Sequence, residues 1–310
     1  MKLTKRSVIL LKIESTQGTD AVPVEATDAI LVEGLKWSPA SERMAERKPT
    51  LATFGELKKI YAGHLLEASF EMEIKGSGVA GERPEMGACL LACGFAENIV
   101  ASTSVEYLPA TQGQQSATIY VYEDGDLIKL VGCMGKVTFD LSTGSVGKAS
   151  FTFTGHQDGS ITQTSLPSPT YDSLTPVPLI GVSFSMGGAL DVSKLSIDMG
   201  ITVSTPDSMI SADGYGDIFI SDRNVTGSID PLAKTADQKE YLTDWKAGTE
   251  SALTTGDIGK VAGNIYKITL PKVYNSAAPK AGDRGGQVSR ELSIHALPVS
   301  GDDEFSLLFT

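Results

Sequence analysis

The chain of 310 residues predicts a mainly β protein: two tandem antiparallel β-sandwich or barrel domains, each with a short α-helix and long loops. Three observations carry that prediction. Stretches in which apolar and polar residues alternate recur along the whole sequence, as half-buried strands require. Turn residues, chiefly Gly, Asp and Ser, punctuate them. One succession, an alternating strand, a short helix stopped by Gly, a Gly-turned hairpin and two closing strands, is found on both sides of a Pro-rich segment at residues 165–178.

Each element has its own warrant. At the N-terminus Lys2, Lys5 and Arg6 precede Val8, Ile9, Leu10 and Leu11, which superficially suggests a secretory leader. Lys12 and Glu14 cut that apolar stretch short, so a strand or arm is the expectation. Residues 30–36 alternate. Residues 38–63 do not, and mix Glu42, Arg43, Glu46, Arg47, Lys48, Glu56, Lys58 and Lys59 in what reads as a long loop. In residues 65–75, Leu66, Ala68, Phe70, Met72 and Ile74 point one way and Leu65, Glu67, Ser69, Glu71, Glu73 and Lys75 the other. A helix then begins at Pro84, carries Met86, Leu90 and Leu91 at helical spacing, and stops at Gly94. Strands follow at 117–123 and 127–131, joined by the tight turn Asp124-Gly125, and at 136–141 and 148–154, joined through Ser142-Thr143-Gly144-Ser145.

The second half repeats the pattern with strands at 190–198, 202–204, 219–230, 265–273 and 287–296. Its helix is expected behind Asp237, with Glu240 completing a capping-box pair, Tyr241, Leu242 and Trp245 buried, and Gly248 as the stop. These patterns divide the chain into a first domain at 1–165, a stiff linker at 166–180 and a second domain at 181–310.

Composition narrows the function. With 41% apolar residues and no run long enough to span a membrane, the sequence is that of a soluble globular protein. Cys89, Cys93 and Cys133 cannot all pair, which fits a reducing compartment. A net charge of −12 opposes tight nucleic-acid binding, because that needs Lys and Arg to displace counterions from phosphate.

Chemical motifs fail on context. Gly76-Ser77-Gly78-Val79-Ala80-Gly81 spells a dinucleotide fingerprint, but the strand before it is too acidic to be a buried parallel strand and no helix opens at its last glycine. Residues 144–149 and 256–261 resemble phosphate loops with the wrong spacing, and read as turns. Cys89 and Cys93 lack further ligands at metal spacing. His64, His156 and His295 belong to no hydrolytic signature. Glu71 and Glu73 share one strand face and cannot flank a glycosidic bond from opposite sides. The sequence therefore predicts no enzyme, no cofactor and no metal.

Taken in order, several stretches resemble the tail tube proteins of long-tailed, non-contractile bacteriophages. They are Leu10-Leu11-Lys12-Ile13-Glu14 with Gly18-Thr19-Asp20, residues 70–78 (FEMEIKGSG), Leu91-Ala92-Cys93-Gly94-Phe95-Ala96-Glu97, Gly282-Asp283-Arg284-Gly285-Gly286, and the terminal residues 303–310. The resemblance implies a virion subunit that forms rings with copies of itself, the rings stacking into the tube that conducts DNA. Its neighbours would be tail terminator, tape measure and distal tail proteins, with no membrane partner, and its location the host cytoplasm before assembly and the virion tail afterwards.

A chain with two tube-like domains would need only three copies for a pseudo-sixfold ring. On that reading Glu67, Glu71, Glu73, Asp222 and Asp230 are candidates for luminal charge. Glu42, Arg43, Arg47, Lys48, Lys58 and Lys59 are candidates for contact between rings, with residues 205–217 as a shorter counterpart of 38–63. The competing class is a surface-displayed carbohydrate-binding or adhesive β-sandwich. It predicts an exposed aromatic cluster, which Trp37 and Trp245 do not readily supply.

Overall fold

A computed structural model describes residue 3 and residues 5–235 and 239–310. In chain order, the first half holds β1 (Ser7–Ile13), β2 (Ala29–Ile30), β3 (Glu33–Ala45), β4 (Ile60–Glu73), α1 (Gly87–Ala92), β5 (Phe95–Val100), β6 (Ser104–Pro109), β7 (Ala117–Glu123), β8 (Asp126–Ser142), β9 (Lys148–Gln157) and β10 (Thr162–Gln163). The second holds β11 (Phe184–Met186), β12 (Lys194–Asp198), β13 (Thr202–Ser204), β14 (Phe219–Asp222), β15 (Thr226–Ile229), α2 (Tyr241–Ala247), β16 (Ser251–Thr255), β17 (Tyr266–Asn275), β18 (Lys280–Arg284), β19 (Gln287–Ala296) and β20 (Ser306–Phe309). The protein is mainly β with antiparallel pairing, as the alternation predicts.

The pairings repeat. In the first half the spatial order is β3-β4-β9-β8-β7-β1. In the second it is β12-β15-β19-β17-β16-β11. Numbered along the chain, both orders read 2-3-6-5-4-1, all antiparallel, and in each half the helix falls between the third and fourth strands. The hairpin of strands two and three is also shared: β3 and β4 in the first half, and the broken pair β12–β13 and β14–β15 in the second.

Two seams join the halves. The C-terminal part of β8 pairs with β12, placing Leu141 opposite Leu195 and Phe139 opposite Ile197. The last strand, β20, lies between β6 and β17, with Leu307 opposite both Tyr107 and Ile268. A single buried cluster accordingly runs from Ile9 through Phe153 to Phe309. Phe305, fully buried, stacks on Phe139 at 5.1 Å and meets Phe95 edge-on at 5.9 Å, so the C-terminal segment closes the core of both halves.

The linker is pinned rather than free. Leu166 and Tyr171 pack beside Val8, Leu10 and Tyr120, while Thr175 accepts a hydrogen bond from the Asn264 amide through its carbonyl. Among the described residues no helix is long and apolar enough to cross a membrane.

Several elements differ from the sequence expectation. Residues 38–63 are not one long loop: β3 runs to Ala45 and β4 starts at Ile60, so strands take both ends and the loop is confined to residues 46–59. The segments expected at 127–131 and 136–141 are one strand, β8, bulged between Val131 and Met134. Asp237 lies outside the described residues. Helix α2 is capped by Glu240 itself, whose carboxylate accepts from the backbone N–H groups of Leu242 and Thr243. That helix buries Tyr241 alone; Trp245 is half-buried and Leu242 exposed. In β4, Leu65 is buried beneath Tyr215 and Ile218 rather than facing water. Lys75, just beyond the strand, is buried in ion pairs with Glu85 at 3.2 Å and Asp172 at 3.3 Å.

Glu14 anchors the N-terminal strand. Its buried carboxylate accepts from the Gly18 and Gly132 backbone N–H groups, each at 2.8 Å, and from the hydroxyls of Ser116 at 2.6 Å and Thr118 at 2.8 Å. Asp20, six residues on, accepts from Tyr120 and Lys129. The Leu10–Glu14 and Gly18–Asp20 stretches are thus the ends of a buried polar tie. Glu14→Ala orphans four donors and is expected to cost roughly 3–5 kcal/mol, read as a lowered urea midpoint with an unchanged slope.

Candidate functional site

The seam between β8 and β12 makes one sheet out of strands from both halves, and its outer face is a polar wall. Register decides the composition. Glu71, Ser150, Thr138, Asp198, Thr226 and His295 stand directly opposite one another on β4, β9, β8, β12, β15 and β19. The next row is Glu73, Lys148, Asp140, Ser196, Ser228 and Ser293. The row behind the first, Met72, Ala149, Phe139, Ile197, Gly227 and Ile294, faces the core. Alternation along each strand thus becomes a wall of hydroxyls and carboxylates backed by apolar side chains.

Charge on the wall is mixed, with an acidic excess. Glu67, Glu71, Glu73, Asp140 and Asp198 face Lys136, Lys148 and Lys194. Lys148 is drawn to the acidic side, bonding Glu33 at 2.5 Å and Glu71 at 3.4 Å, and its pKa is raised chiefly by the Glu33 hydrogen bond. Of the residues singled out by sequence, Glu67, Glu71 and Glu73 share this face. Asp222 sits apart on β14, in a two-stranded sheet with β13. Asp230 turns inward: its carboxylate accepts from the Ser193 and Lys194 backbone N–H groups at 2.8 Å and from the Ser193 hydroxyl, closing the start of β12. Asp140 and Asp198 escaped the sequence reading, because only the pairing of β8 with β12 puts them in rows with Glu71 and Glu73.

The basic and acidic residues around residues 42–59 divide in the same way. Arg43 turns back onto its own chain. Its guanidinium lies over the Tyr215 ring at 3.7 Å, donates to the Gly214 carbonyl at 3.1 Å and pairs with Asp207. Tyr215 in turn donates to the Ser41 carbonyl. Lys48 and Lys59 each pair with Glu46 at 2.9 Å. Glu42, Arg47 and Lys58 are exposed, beside an exposed apolar set of Met44, Leu51, Phe54, Ile60 and Tyr61. The second hairpin is thereby docked on the first through Asp207, Gly214, Tyr215 and Ile218, with Met209 and Ile210 exposed at its end, while the loop at the tip of the first is exposed.

The remaining chemical candidates have structural roles. His156 meets Asp213 at 2.5 Å, and Ser211 donates to that same carboxylate rather than to an imidazole, so no nucleophile is activated. Burial pushes the Asp213 carboxyl up, but hydrogen bonds from Ser211, His156 and the Tyr215 N–H outweigh it and hold the pKa below the usual range. Cys89, Cys93 and Cys133 are fully buried, and desolvation raises all three thiols. The glycines of residues 76–81 serve close packing. A Cβ on Gly76 would stand 1.9 Å from the Gly263 carbonyl oxygen, and the Gly78 N–H donates to that same oxygen at 2.9 Å.

A repeated strand order, a polar wall crossing both halves and an exposed apolar hairpin tip are the features of a β protein with extended surfaces open to association. The family comparison agrees: residues 4–296 match the phage tail tube protein family, and the chain belongs to it. A comparison with curated proteins finds none that matches. Membership places the protein in the tail of a virion, as a subunit that assembles into a tube with other tail proteins.

Proposed function

We propose that three copies of this chain form a pseudo-sixfold ring and that such rings stack into the conduit through which phage DNA leaves the particle. One observation carries the reading: the strand order 2-3-6-5-4-1 occurs twice in one chain, and the two occurrences are joined edge to edge by β8 and β12. Each half is then a tube-like domain, one at residues 1–165 and the other at 181–310, with the pinned segment 166–180 between them. A heterologous contact of this kind closes into a ring when its rotation divides a full turn, and otherwise winds into a fibre.

The polar wall lines the bore in this reading. Duplex DNA carries one negative charge per about 1.7 Å, so a strongly basic wall would hold it through counterion release. Hydroxyls with an excess of carboxylate offer no such grip, and the apolar row behind them keeps the wall stiff. The role is structural, without catalysis or a resident cofactor. Partners are other copies of the chain and the tail terminator, tape measure and distal tail proteins, met in the host cytoplasm during assembly.

Negative-stain microscopy of the purified protein tests this directly. Rings or tubes are expected, and monodisperse particles at every concentration would overturn it. Glu71→Lys combined with Glu73→Lys should leave the tubes intact and slow DNA ejection severalfold, measured by dye release from virions carrying the variant. Unaltered ejection would remove this face from the bore.

A further inference from the structure

The seam inside the chain has a missing counterpart at each end. In the first half the fifth strand, β8, carries β9 on one side and β12 on the far end of the other. In the second half β17 continues into β18, and among the described residues β18 pairs with β19 alone. The edge equivalent to residues 138–142 is therefore without a strand among the described residues. Conversely β12, second strand of its half, is flanked by both β15 and β8, whereas among the described residues β3, second strand of the first half, pairs with β4 alone.

Burial follows the same asymmetry. Leu195, Ile197 and Met199, on and just after β12, are 3%, 0% and 0% exposed. Val32, Leu35 and Trp37, at the matching places on and before β3, are only half-buried against the core. The hairpin tips differ likewise. Tyr215 and Ile218 at the base of the second hairpin are covered by Leu65 and Met134 of the first half, although Met209 and Ile210 at its end are exposed; at the tip of the first hairpin Leu51 and Phe54 are exposed, Phe54 fully at 112%. An exposed edge strand followed by an exposed apolar tip is a costly surface for a monomer to keep.

We infer that the β3–β4 hairpin of one copy docks on the β17–β18 edge of the next copy in the manner in which the β12–β15 hairpin docks on β8 within the chain. The partner is a second copy of this protein. β3 adds antiparallel to β18 over residues 33–38, burying Val32, Leu35 and Trp37 as Leu195, Ile197 and Met199 are buried. Pro39 marks the limit of the added ladder, since it pairs with Leu66 and offers no N–H to the free edge. Residues 46–59 then lie across the neighbour's second half, as residues 205–218 lie across the first. The junction rests on the ring reading above and adds to it the strands that meet.

Cysteine scanning tests the junction in the full-length chain. The three native cysteines are fully buried, so introduced thiols are read alone. Lys36→Cys is combined in turn with Lys280→Cys, Ala281→Cys, Gly282→Cys and Asp283→Cys. Ser196→Cys with Asp140→Cys, directly opposite across the internal seam, is the intrachain control. Oxidation of assembled protein should give, in at least one combination, a non-reducing ladder that ends at three chains, with each single variant remaining one chain. In wild-type protein, assembly should slow amide exchange at residues 33–38 and 280–284 by on the order of tenfold or more. Rings that form without cross-links in any combination and without slowed exchange at these strands overturn the junction and leave the tube reading standing. A chain that never associates overturns both.

Discussion

A chain ending at Asp303, lacking β20 and the segment that leads into it, is expected not to accumulate as folded protein. The deletion removes the strand between β6 and β17, so both lose a hydrogen-bonded neighbour and two edges open inside the molecule. It also removes Phe305, Leu307 and Phe309, all buried, and exposes Phe139, Tyr107 and Tyr266, which pack against them. Glu304 goes with them, leaving Arg223 one carboxylate short of the pair it makes with Glu304 and Asp302. Phe305→Ala by itself should cost about 3–5 kcal/mol, the usual range for emptying a buried aromatic site. Soluble yield and circular dichroism of the truncated chain, with urea unfolding of the point variant, measure both effects. A truncated protein with native spectrum and stability would show that the C-terminal seam is dispensable.

Replacing residues 46–59 by Asn-Gly is expected to do the opposite, leaving the monomer folded and abolishing tubes. The loop contributes no buried residue, and Asn-Gly supplies the positive φ values that a two-residue hairpin turn requires. Ala45 and Ile60 already face each other across the pair, so the shortened turn closes on existing geometry. Contacts that hold the second hairpin, Arg43 with Tyr215 and Asp207 and Tyr215 with Ser41, lie outside the deletion. Thermal unfolding should therefore change little, while microscopy and sedimentation should find no polymer. Normal tubes from this variant would free residues 46–59 of any role in assembly.

The sequence exposes what is local. Residues 117–123, 202–204 and 287–296, read as strands from their composition and turn boundaries, are strands at those limits. Asp124 and Gly125 both have positive φ, as the expected tight turn demands. The outer part of β3, beyond the stretch at 30–36 that does alternate, is invisible for a physical reason: residues 38–45 form a largely exposed edge, bulged between Ala40 and Met44, and carry no alternation. β8 reads as two pieces because Gly132, at positive φ, interrupts its pattern within a bulge. Three of the five carboxylates proposed for the bore lie on the wall, since they alternate on one strand. Asp230 is diverted by the short-range need to cap backbone N–H groups, and Asp140 and Asp198 join the wall through a pairing of strands more than fifty residues apart. Such long-range choices of partner leave no periodic trace.

The β8–β12 seam has a kinetic consequence. Because it forms as the polypeptide folds, its two sides meet at a tether-defined local concentration and need no encounter in solution. The three-copy ring proposed above would then nucleate with the third power of subunit concentration, where unlinked single domains would require the sixth. The dilution at which spontaneous polymerisation ceases is correspondingly set by half of the ring's joints alone.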